Sequence, residues 1–228
     1  MKVGFIGGTS LHHSDSFASW PARRCETRFG AVVCRTKGNL AVLDRHGPKG
    51  KTPPHAINHR ANVALFGDLG VDTLISLNSV GSLRTDLEPG TLVSCADYVS
   101  FHPATFQDET LRPVAPVIGN PLLPEISGAL DRPVESGKVY VQTRGPRFET
   151  KAEVRIIRQW GDVVGMTLGS EADLCAEAEL PLTSLAMVDN FAHGLTESPL
   201  SADSFRRQLL VNRQAIEGLL AVLVRLYG

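Results

Sequence analysis

The stretch 143–150 places an aromatic ring beside a carboxylate in a turn between a strand and a helix. An alternating run at 139–142 predicts the strand, and a capping box formed by Thr150 and Glu153 predicts the start of the helix. Phe148 offers a flat apolar face, and Glu149 offers an acceptor near the positive end of that helix. Such a pair suits a planar heterocycle with N–H groups on its edge, such as the N1–H of a 6-oxopurine. The alternative, which these residues alone favour, is that Phe148 belongs to the core and Glu149 only caps the helix.

Two further segments carry groups that suit an anion. Arg45 and His46 follow an apolar run, and they could bind phosphate because a guanidinium offers a bidentate fork and an imidazole adds a donor. The first apolar run ends in residues 7–10 (GGTS), where glycines let the backbone approach an anion and hydroxyl groups donate to it. The alternative for Arg45 and His46 is a surface Arg with a structural His, and the alternative for residues 7–10 is an ordinary tight turn. The segment 7–10 has neither the glycine spacing of a dinucleotide site nor the lysine of a P-loop.

These segments are predicted to lie at the ends of strands in an α/β sheet. Strands are predicted at 3–6, 30–36, 39–43, 72–77, 92–100, 139–142, 163–166 and 182–188, and helices at 57–69, 151–160, 170–179 and, after 199–201, up to about 226. Ser170 is predicted to cap the third helix. The proline-rich region 101–133 is predicted to be a functional loop or a subunit contact. Polar residues follow several strands, and open α/β sheets bind ligands at the carboxyl ends of their strands.

Composition and charge narrow the class of protein. The 228 residues carry a formal charge of −1 and are 43% hydrophobic, which fits one large domain, 1–228, with a substantial core. No basic block predicts binding to nucleic acid or to an anionic membrane. The N-terminal apolar run is too short for a signal peptide, and no segment approaches membrane-spanning length, so a cytoplasmic location is expected. No C-x-x-C spacing predicts a disulfide or a metal site, and we expect reduced core thiols at Cys25, Cys34, Cys95 and Cys175.

An ordered series of short motifs runs through nearly the whole chain. The series consists of Gly7-Gly8-Thr9, Arg45-His46-Gly47, Asn62, Gly81-Ser82-Leu83 with Pro89-Gly90, the run 145–150 (GPRFET), Gly165-Met166-Thr167 with Glu171, and Asp189-Asn190. It resembles the trimeric purine nucleoside phosphorylase and methylthioadenosine phosphorylase family. The resemblance implies a phosphorylase/hydrolase-like α/β fold, with a central mixed β-sheet flanked by helices. It also implies a homotrimer in which a neighbouring subunit closes part of the site.

The resemblance implies phosphorolysis, in which a purine ribonucleoside and inorganic phosphate give the free base and a ribose 1-phosphate. By carry-over from the family, phosphate would bind Thr9, Arg45, His46, Ser79 and Thr167, the ribose would contact Met166, and the base would contact Phe148, Glu149 and Asn190. The catalytic residues would be Asn190, which donates to the leaving base, and His46 on the phosphate side. Bound phosphate attacks a cation-like sugar, so no side-chain nucleophile, metal ion or further cofactor is expected.

The identity of the base follows from the same resemblance. Adenine-specific members carry an Asp at the position of Asn190, a second Asp two residues later, and a small hydroxyl residue in place of Glu149. Here Ala192 occupies the second Asp position, and Glu149 can accept the N1–H that 6-oxopurines have and adenine lacks. Inosine, guanosine and 5′-methylthioinosine are all candidate substrates. Because Asp189 precedes Asn190, a shift of one residue in the alignment with the family would place an acid at this position of the site.

Several positions depart from the family or stay open. Asn78 stands where the family often has Thr, Gly50 where relatives have a His, and 169–170 where relatives have Val-Pro, all of which affect the predicted phosphate geometry. His193 could meet the 5′ substituent of the ribose or lie on a surface loop. No role is assigned to His12, His13, His55, His59 and His102. Three other functions remain open: a methylthioadenosine phosphorylase, a nucleosidase that uses water, and a non-catalytic purine- or phosphate-binding protein of the same fold.

Overall fold

The computed structural model describes residues 1–12, 14–109, 111–197 and 200–228, and over these residues it has one mixed sheet flanked by helices. The strands are β1 Val3–Gly7, β2 Ala22–Thr27, β3 Gly30–Lys37, β4 Leu40–Asp44, β5 Thr73–Ser82, β6 Leu92–Val99, β7 Glu135–Gln142, β8 Val163–Gly165 and β9 Leu182–Phe191. The helices are α1 Thr9–His12, α2 His59–Asp68, α3 Leu123–Ala129, α4 Lys151–Ile157, α5 Leu168–Glu177 and α6 Ala202–Tyr227. Pro199, which the sequence places before the last helix, lies outside the described residues, as does His13.

The sheet brings the ends of distant strands together. Its order is β2-β3-β4-β1-β5-β8-β7-β6-β9, and an additional pairing of β5 with β9 closes the last five strands into a ring. Strand β1 runs parallel to β4 and to β5, and β5 runs parallel to β9, so the carboxyl ends of these four strands lie on one side. Where β5 meets β8, Gly81 pairs with Val164, which brings the ends of β7 and β8 to the same place. This meeting point is where an open α/β sheet is expected to bind a ligand.

Strands β5 and β9 are longer than the sequence predicts. Polar residues were expected to follow a strand ending at Leu77, but β5 continues to Ser82, and β9 likewise continues to Phe191. The two strands pair with each other through these extra residues, which supplies the backbone hydrogen bonds that continue the strands past their apolar runs. Asn78 and Ser79 therefore sit in regular strand positions, where the pleat fixes their directions, whereas β9 has a register shift at Asp189.

Helices cover both faces of the sheet. One cluster of buried apolar side chains includes Val63 and Phe66 of α2 together with Leu174 of α5, and a second includes Ile126 of α3 and Leu219 of α6. Each cluster also contains side chains from the strands, so the sheet is buried on two sides, as its continuous apolar runs predict. None of the helices in the described part of the chain is long and apolar enough to cross a membrane.

The start of α5 differs from the prediction. Thr167, rather than Ser170, occupies the N-cap position, and its side chain does not cap the helix. Instead the phenol oxygen of the fully buried Tyr140 accepts hydrogen bonds from the backbone N–H groups of Thr167 (3.1 Å) and Leu168 (3.4 Å). Ser170 lies inside the helix, where it accepts a hydrogen bond from Gln142 Nε2 (2.7 Å). Tyr140 thus satisfies free N–H groups of the helix and leaves the Thr167 hydroxyl available to the site.

All four cysteines are buried, as expected for core residues. Two of them, Cys25 on β2 and Cys34 on β3, have Sγ atoms only 3.6 Å apart. The sequence did not predict β2 as a strand, so it gave no sign of this proximity. Burial raises the pKa of Cys34 to about 11, which keeps its thiol protonated at neutral pH.

Candidate active site

One cavity of about 210 Å³ is lined by all nine residues to which the sequence assigns a role. These residues are Thr9, Arg45, His46, Ser79, Phe148, Glu149, Met166, Thr167 and Asn190. They come from six places in the chain, most of them at or just after the end of a strand, with Ser79 inside β5 and Phe148 and Glu149 in the turn before α4. The structure therefore brings together the residues assigned to phosphate, ribose and base. Among the described residues that also line the cavity, Pro54, Val80, Pro146, Val164 and Phe205 had not been predicted to do so.

Arg45 reaches the cavity from the end of β4, but its bidentate fork is engaged elsewhere. Its Nε and Nη2 donate to the two carboxylate oxygens of Glu171, at 2.6 and 3.1 Å, and both side chains are almost fully buried. Nη1 donates to the carbonyl oxygen of Leu77 (2.9 Å), which leaves the second Nη1 N–H without an acceptor among the described residues. A Cβ atom at Gly8 would lie 2.5 Å from Nη1, so only glycine allows this close approach. Arg45 thus offers an anion one N–H and a charge that Glu171 already balances, rather than the predicted fork.

His46 is oriented by its neighbours as a neutral imidazole. Its Nδ1 lies 2.7 Å from the carbonyl oxygen of Thr52, and because a carbonyl oxygen only accepts, Nδ1 carries the proton. Burial, with the charge of Arg45 as a further cause, lowers the pKa of His46 below its usual value. In the neutral ring Nε2 is an acceptor, which differs from the predicted role as a donor. An anion could use Nε2 either by offering its own O–H group or by binding to the protonated ring.

A directed chain of hydrogen bonds fixes the hydroxyl group of Thr167. Ser76 donates to Glu171, and because the Ser76 oxygen accepts from Asn78 Nδ2 (2.8 Å), the amide of Asn78 has a defined orientation. Its Oδ1 then accepts from Thr167 Oγ1 at 2.7 Å. Asn78, where the resembling family often has Thr, therefore orients Thr167 from beneath, and the lone pairs of Thr167 Oγ1 remain for the cavity.

The base-side residues are not used as core or cap. Phe148 is 37% exposed, and its ring meets the ring of Phe205 edge to face, with centroids 5.8 Å apart. The capping box of α4 is formed by Thr150 and Glu153, so Glu149 has no capping role. Glu149 is 6% exposed, and its Oε1 accepts from Thr143 Oγ1 at 2.7 Å. A buried acceptor beside an exposed aromatic face is the arrangement that a planar base with an N–H edge requires.

The sheet register determines which residue of the Asp189-Asn190 pair reaches the cavity. Val80 pairs with Val188 and Gly81 pairs with Asn190, so Asp189 is an extra residue in a bulge of β9. Asn190 lines the cavity, and its Nδ2 donates to the carbonyl oxygen of Phe191 (2.8 Å), which leaves its second N–H and its Oδ1. Asp189 is 1% exposed and does not line the cavity. The structure thus supports the register in which the amide, not the acid, faces a ligand.

Gly145 and His193 make two further contacts with residues of the site. Gly145 has a positive φ of 67°, and a Cβ atom there would lie 2.4 Å from Met166 Sδ, so the turn packs directly on the side chain assigned to ribose. The Nδ1 atom of His193 lies 3.1 Å from the carbonyl oxygen of Glu149, and His193 does not line the cavity. His193 therefore contacts the backbone of the base-side turn.

The fold and the cavity together define an α/β protein that binds a polar ligand at the carboxyl ends of its strands. The family model of the phosphorylase superfamily matches residues 2–225, and the chain belongs to that family. It is 36% identical to a probable S-methyl-5′-thioinosine phosphorylase of Methanocaldococcus jannaschii, over 88% of this chain and 83% of that one. It is 38% identical to a probable 6-oxopurine nucleoside phosphorylase of Archaeoglobus fulgidus, over 85% and 83% of the two chains.

A solved structure gives the same fold. The methylthioadenosine phosphorylase of Schistosoma mansoni, in complex with adenine, superposes with a TM-score of 0.81 and is 26% identical, covering 99% of this chain and 91% of that one. The family and the α/β fold with a mixed central sheet, both expected from the motif series, are confirmed. The individual roles of the nine cavity residues are not tested by these similarities and stay predictions.

Proposed function

We propose that this protein catalyses the phosphorolysis of 6-oxopurine nucleosides, giving a free purine and a ribose 1-phosphate or its 5-methylthio derivative. The observation that carries the proposal is that the residues assigned to phosphate, Met166 and the residues assigned to the base all line the same cavity. Membership of the phosphorylase superfamily and similarity to relatives named for 6-oxopurine nucleosides and S-methyl-5′-thioinosine support the same reaction.

The base side can stabilise the leaving group. Breaking the N-glycosidic bond leaves negative charge on the purine, and a donor held at N7 stabilises that charge as it develops. The Asn190 amide has a free N–H for this purpose, and its Oδ1 can accept a proton carried on N7. Because Thr143 occupies Oε1 of Glu149, the other carboxylate oxygen is the one positioned to accept from N1–H of a 6-oxopurine. Adenine has no hydrogen on N1, so its lone pair would face a carboxylate and be repelled.

The phosphate side can hold the nucleophile. Thr9, Ser79 and Thr167 line the cavity, Arg45 supplies a cation, and His46 supplies Nε2. Because Thr167 Oγ1 donates its proton to Asn78, it would accept from an O–H group of the phosphate. Bound phosphate would lie beside the sugar carbon on which positive charge develops, so it both stabilises and attacks that centre. No side-chain nucleophile and no cofactor beyond inorganic phosphate as co-substrate enters this scheme.

We also propose that the active form is a cytoplasmic homotrimer. Large apolar side chains are exposed on the surface: Phe101 is 65% exposed, and its ring meets that of the 43% exposed Trp160 at 5.4 Å between centroids. Leu111 and Val117, in the proline-rich region, are 93% and 72% exposed. Exposed apolar side chains of this kind are typical of subunit interfaces. Sedimentation of the purified protein tests the trimer, and a monomer at assay concentrations would contradict it.

The base assignment is tested by comparing substrates. The protein is incubated with inosine, 5′-methylthioinosine and methylthioadenosine, each with and without phosphate, and the released base is measured. Phosphate-dependent release of hypoxanthine with little adenine supports the proposal. Release of adenine in preference would support the second candidate, a methylthioadenosine phosphorylase, which the similarity to the S. mansoni structure favours. Absence of any release would favour a non-catalytic binding protein.

A further inference from the structure

Asp189 is a buried acid that the proposed reaction leaves without a role. It occupies the bulge of β9 next to Asn190 and is 1% exposed. Its side chain hydrogen-bonds to residues of β5 and α6 and does not line the cavity. A carboxyl group buried this deeply is costly unless hydrogen bonds compensate for lost water, so its partners are informative.

Two neutral side chains hold this carboxyl group. Ser79 Oγ, on β5, donates to Asp189 Oδ2, and Asn212 Nδ2, on α6, donates to Asp189 Oδ1 at 2.7 Å. Asn212 is itself fixed, because its Nδ2 also donates to the carbonyl oxygen of Val188 (3.2 Å) and its Oδ1 accepts from Gln208 Nε2 (3.0 Å). Asp189 and Asn212 therefore form a rigid support behind Ser79, a residue that lines the cavity.

The carboxyl group can change its protonation near neutral pH. Burial raises the pKa of Asp189 to about 6, and the hydrogen bonds from Ser79 and Asn212 lower it in part. No charged group on β5, β9, α6 or elsewhere in the described chain contributes to this shift. A further negative charge placed next to Ser79 would raise the pKa of Asp189 again, through repulsion across one hydroxyl group.

We propose that Asp189 is a positioning residue that takes up one proton when phosphate binds, with Ser79 as the link between them. This inference rests on the phosphate site of the proposed function. While Asp189 is ionised, Ser79 directs its only proton to Oδ2 and presents lone pairs to the cavity, which disfavours an anion. When Asp189 takes a proton from the solvent, its O–H group donates to Ser79 Oγ, and the Ser79 proton turns to a phosphate oxygen. The one bond that forms is the O–H bond of the Asp189 carboxyl group, and its proton comes from a hydronium ion or a buffer acid in the solvent, which loses it.

The test is calorimetric titration of the intact protein with inorganic phosphate at pH 7, in two buffers of different ionisation enthalpy. The dependence of the binding heat on the buffer gives the number of protons taken up. Phosphate exchanges a proton itself near this pH, so the quantity that matters is the difference between the parent protein and Asp189→Asn. We expect the variant to lose most of one proton of uptake, and its phosphate KM to vary less between pH 6 and 8.

Three variants make the result specific. Ser79→Ala keeps the acid and removes the link, and we expect it to lose the same proton uptake as Asp189→Asn. Asp86→Asn removes an exposed acid that pairs with Arg84 outside the cavity, and we expect proton uptake equal to that of the parent. If Asp189→Asn does not fold, Ser79→Ala carries the test alone.

Two results would overturn the inference. Phosphate binding with equal proton uptake in the parent, Asp189→Asn and Ser79→Ala would refute the role of Asp189 while leaving phosphorolysis intact. Absence of phosphate binding and of phosphate-dependent activity in the parent would instead refute the proposed function, and the inference with it.

Discussion

Replacing Glu149 with alanine removes the acceptor to which we assign the distinction between 6-oxopurines and adenine. The carboxylate is 6% exposed and fixed by Thr143, so it needs little reorganisation to meet an N1–H group. In Glu149→Ala the Thr143 hydroxyl keeps an alternative, weaker acceptor in the carbonyl oxygen of Gly165, at 3.5 Å. The loss should therefore fall on the substrate contact rather than on the turn itself.

The expected size of the effect follows from the type of bond. A hydrogen bond to a charged group contributes about 1.5–3 kcal/mol. If Glu149 makes one such bond to the base in the transition state, kcat/KM for inosine should fall roughly 10- to 150-fold in Glu149→Ala. For methylthioadenosine, which lacks the N1 hydrogen, the same variant should show no loss, and relief of repulsion should raise its relative rate.

The assay measures initial rates of base release at saturating phosphate, with inosine and methylthioadenosine as parallel substrates. Glu153→Ala is the matched control, because Glu153 lies four residues further on, caps α4 and pairs with Arg147 outside the cavity. We expect Glu153→Ala to lower thermal stability and to change kcat/KM little. Equal losses for both nucleosides in Glu149→Ala, or no loss for inosine, would refute the assignment of Glu149 to N1–H.

Three other perturbations have defined outcomes. Asn190→Asp should shift the ratio of kcat/KM from inosine toward adenosine-type nucleosides, and an unchanged ratio would mean that Asn190 does not contact the base. Arg45→Lys keeps the charge beside Glu171 but loses several guanidinium contacts. We therefore expect the free energy of unfolding in urea to fall by about 2 kcal/mol and the KM for phosphate to rise. An unchanged KM would mean that Arg45 does not contact phosphate. Burial lowers the pKa of His59 to about 4. Between pH 6.5 and 4 the unfolded chain therefore binds up to one proton more than the folded protein, and the free energy of unfolding decreases as the pH is lowered through that window. His59→Phe should reduce that fall by roughly 1–2 kcal/mol between pH 6.5 and 5, and an identical pH profile would contradict this cause.

Local patterns in the sequence predicted much of this structure. The hairpin of β3 and β4, the capping box at Thr150 and Glu153, and the first strand depend on neighbours within a few residues, so the chain itself specifies them. The residues that line the cavity could also be predicted. The family that the sequence resembles indicates which residues they are, and the ends of the strands converge in an α/β sheet.

Contacts between distant segments could not be predicted in this way. The bidentate pairing of Arg45 with Glu171 joins residues far apart in the chain, and nothing near Arg45 indicates that its fork is engaged. Tyr140 replaces the expected serine cap on α5 from a different strand. Phe205 reaches the cavity from a helix whose apolar spacing only predicted packing. In each case the tertiary arrangement, and not the local sequence, decides which partner a side chain meets.

The bulge at Asp189 shows the same limit at the level of one residue. A regular pairing of β5 with β9 would give Asp189 and Asn190 opposite directions in an order that the sequence cannot fix. The extra residue in β9 places the acid inside and the amide at the cavity. Which of these two side chains reaches the cavity therefore depends on one irregularity in the sheet.

The most direct test of phosphorolysis is to identify the sugar product. Inosine is incubated with the protein and isotopically labelled phosphate, and the products are separated and identified by mass spectrometry. Our account predicts labelled ribose 1-phosphate in a one-to-one ratio with hypoxanthine, and no turnover when phosphate is left out. Free ribose formed at the same rate with and without phosphate would contradict it and identify hydrolysis as the reaction.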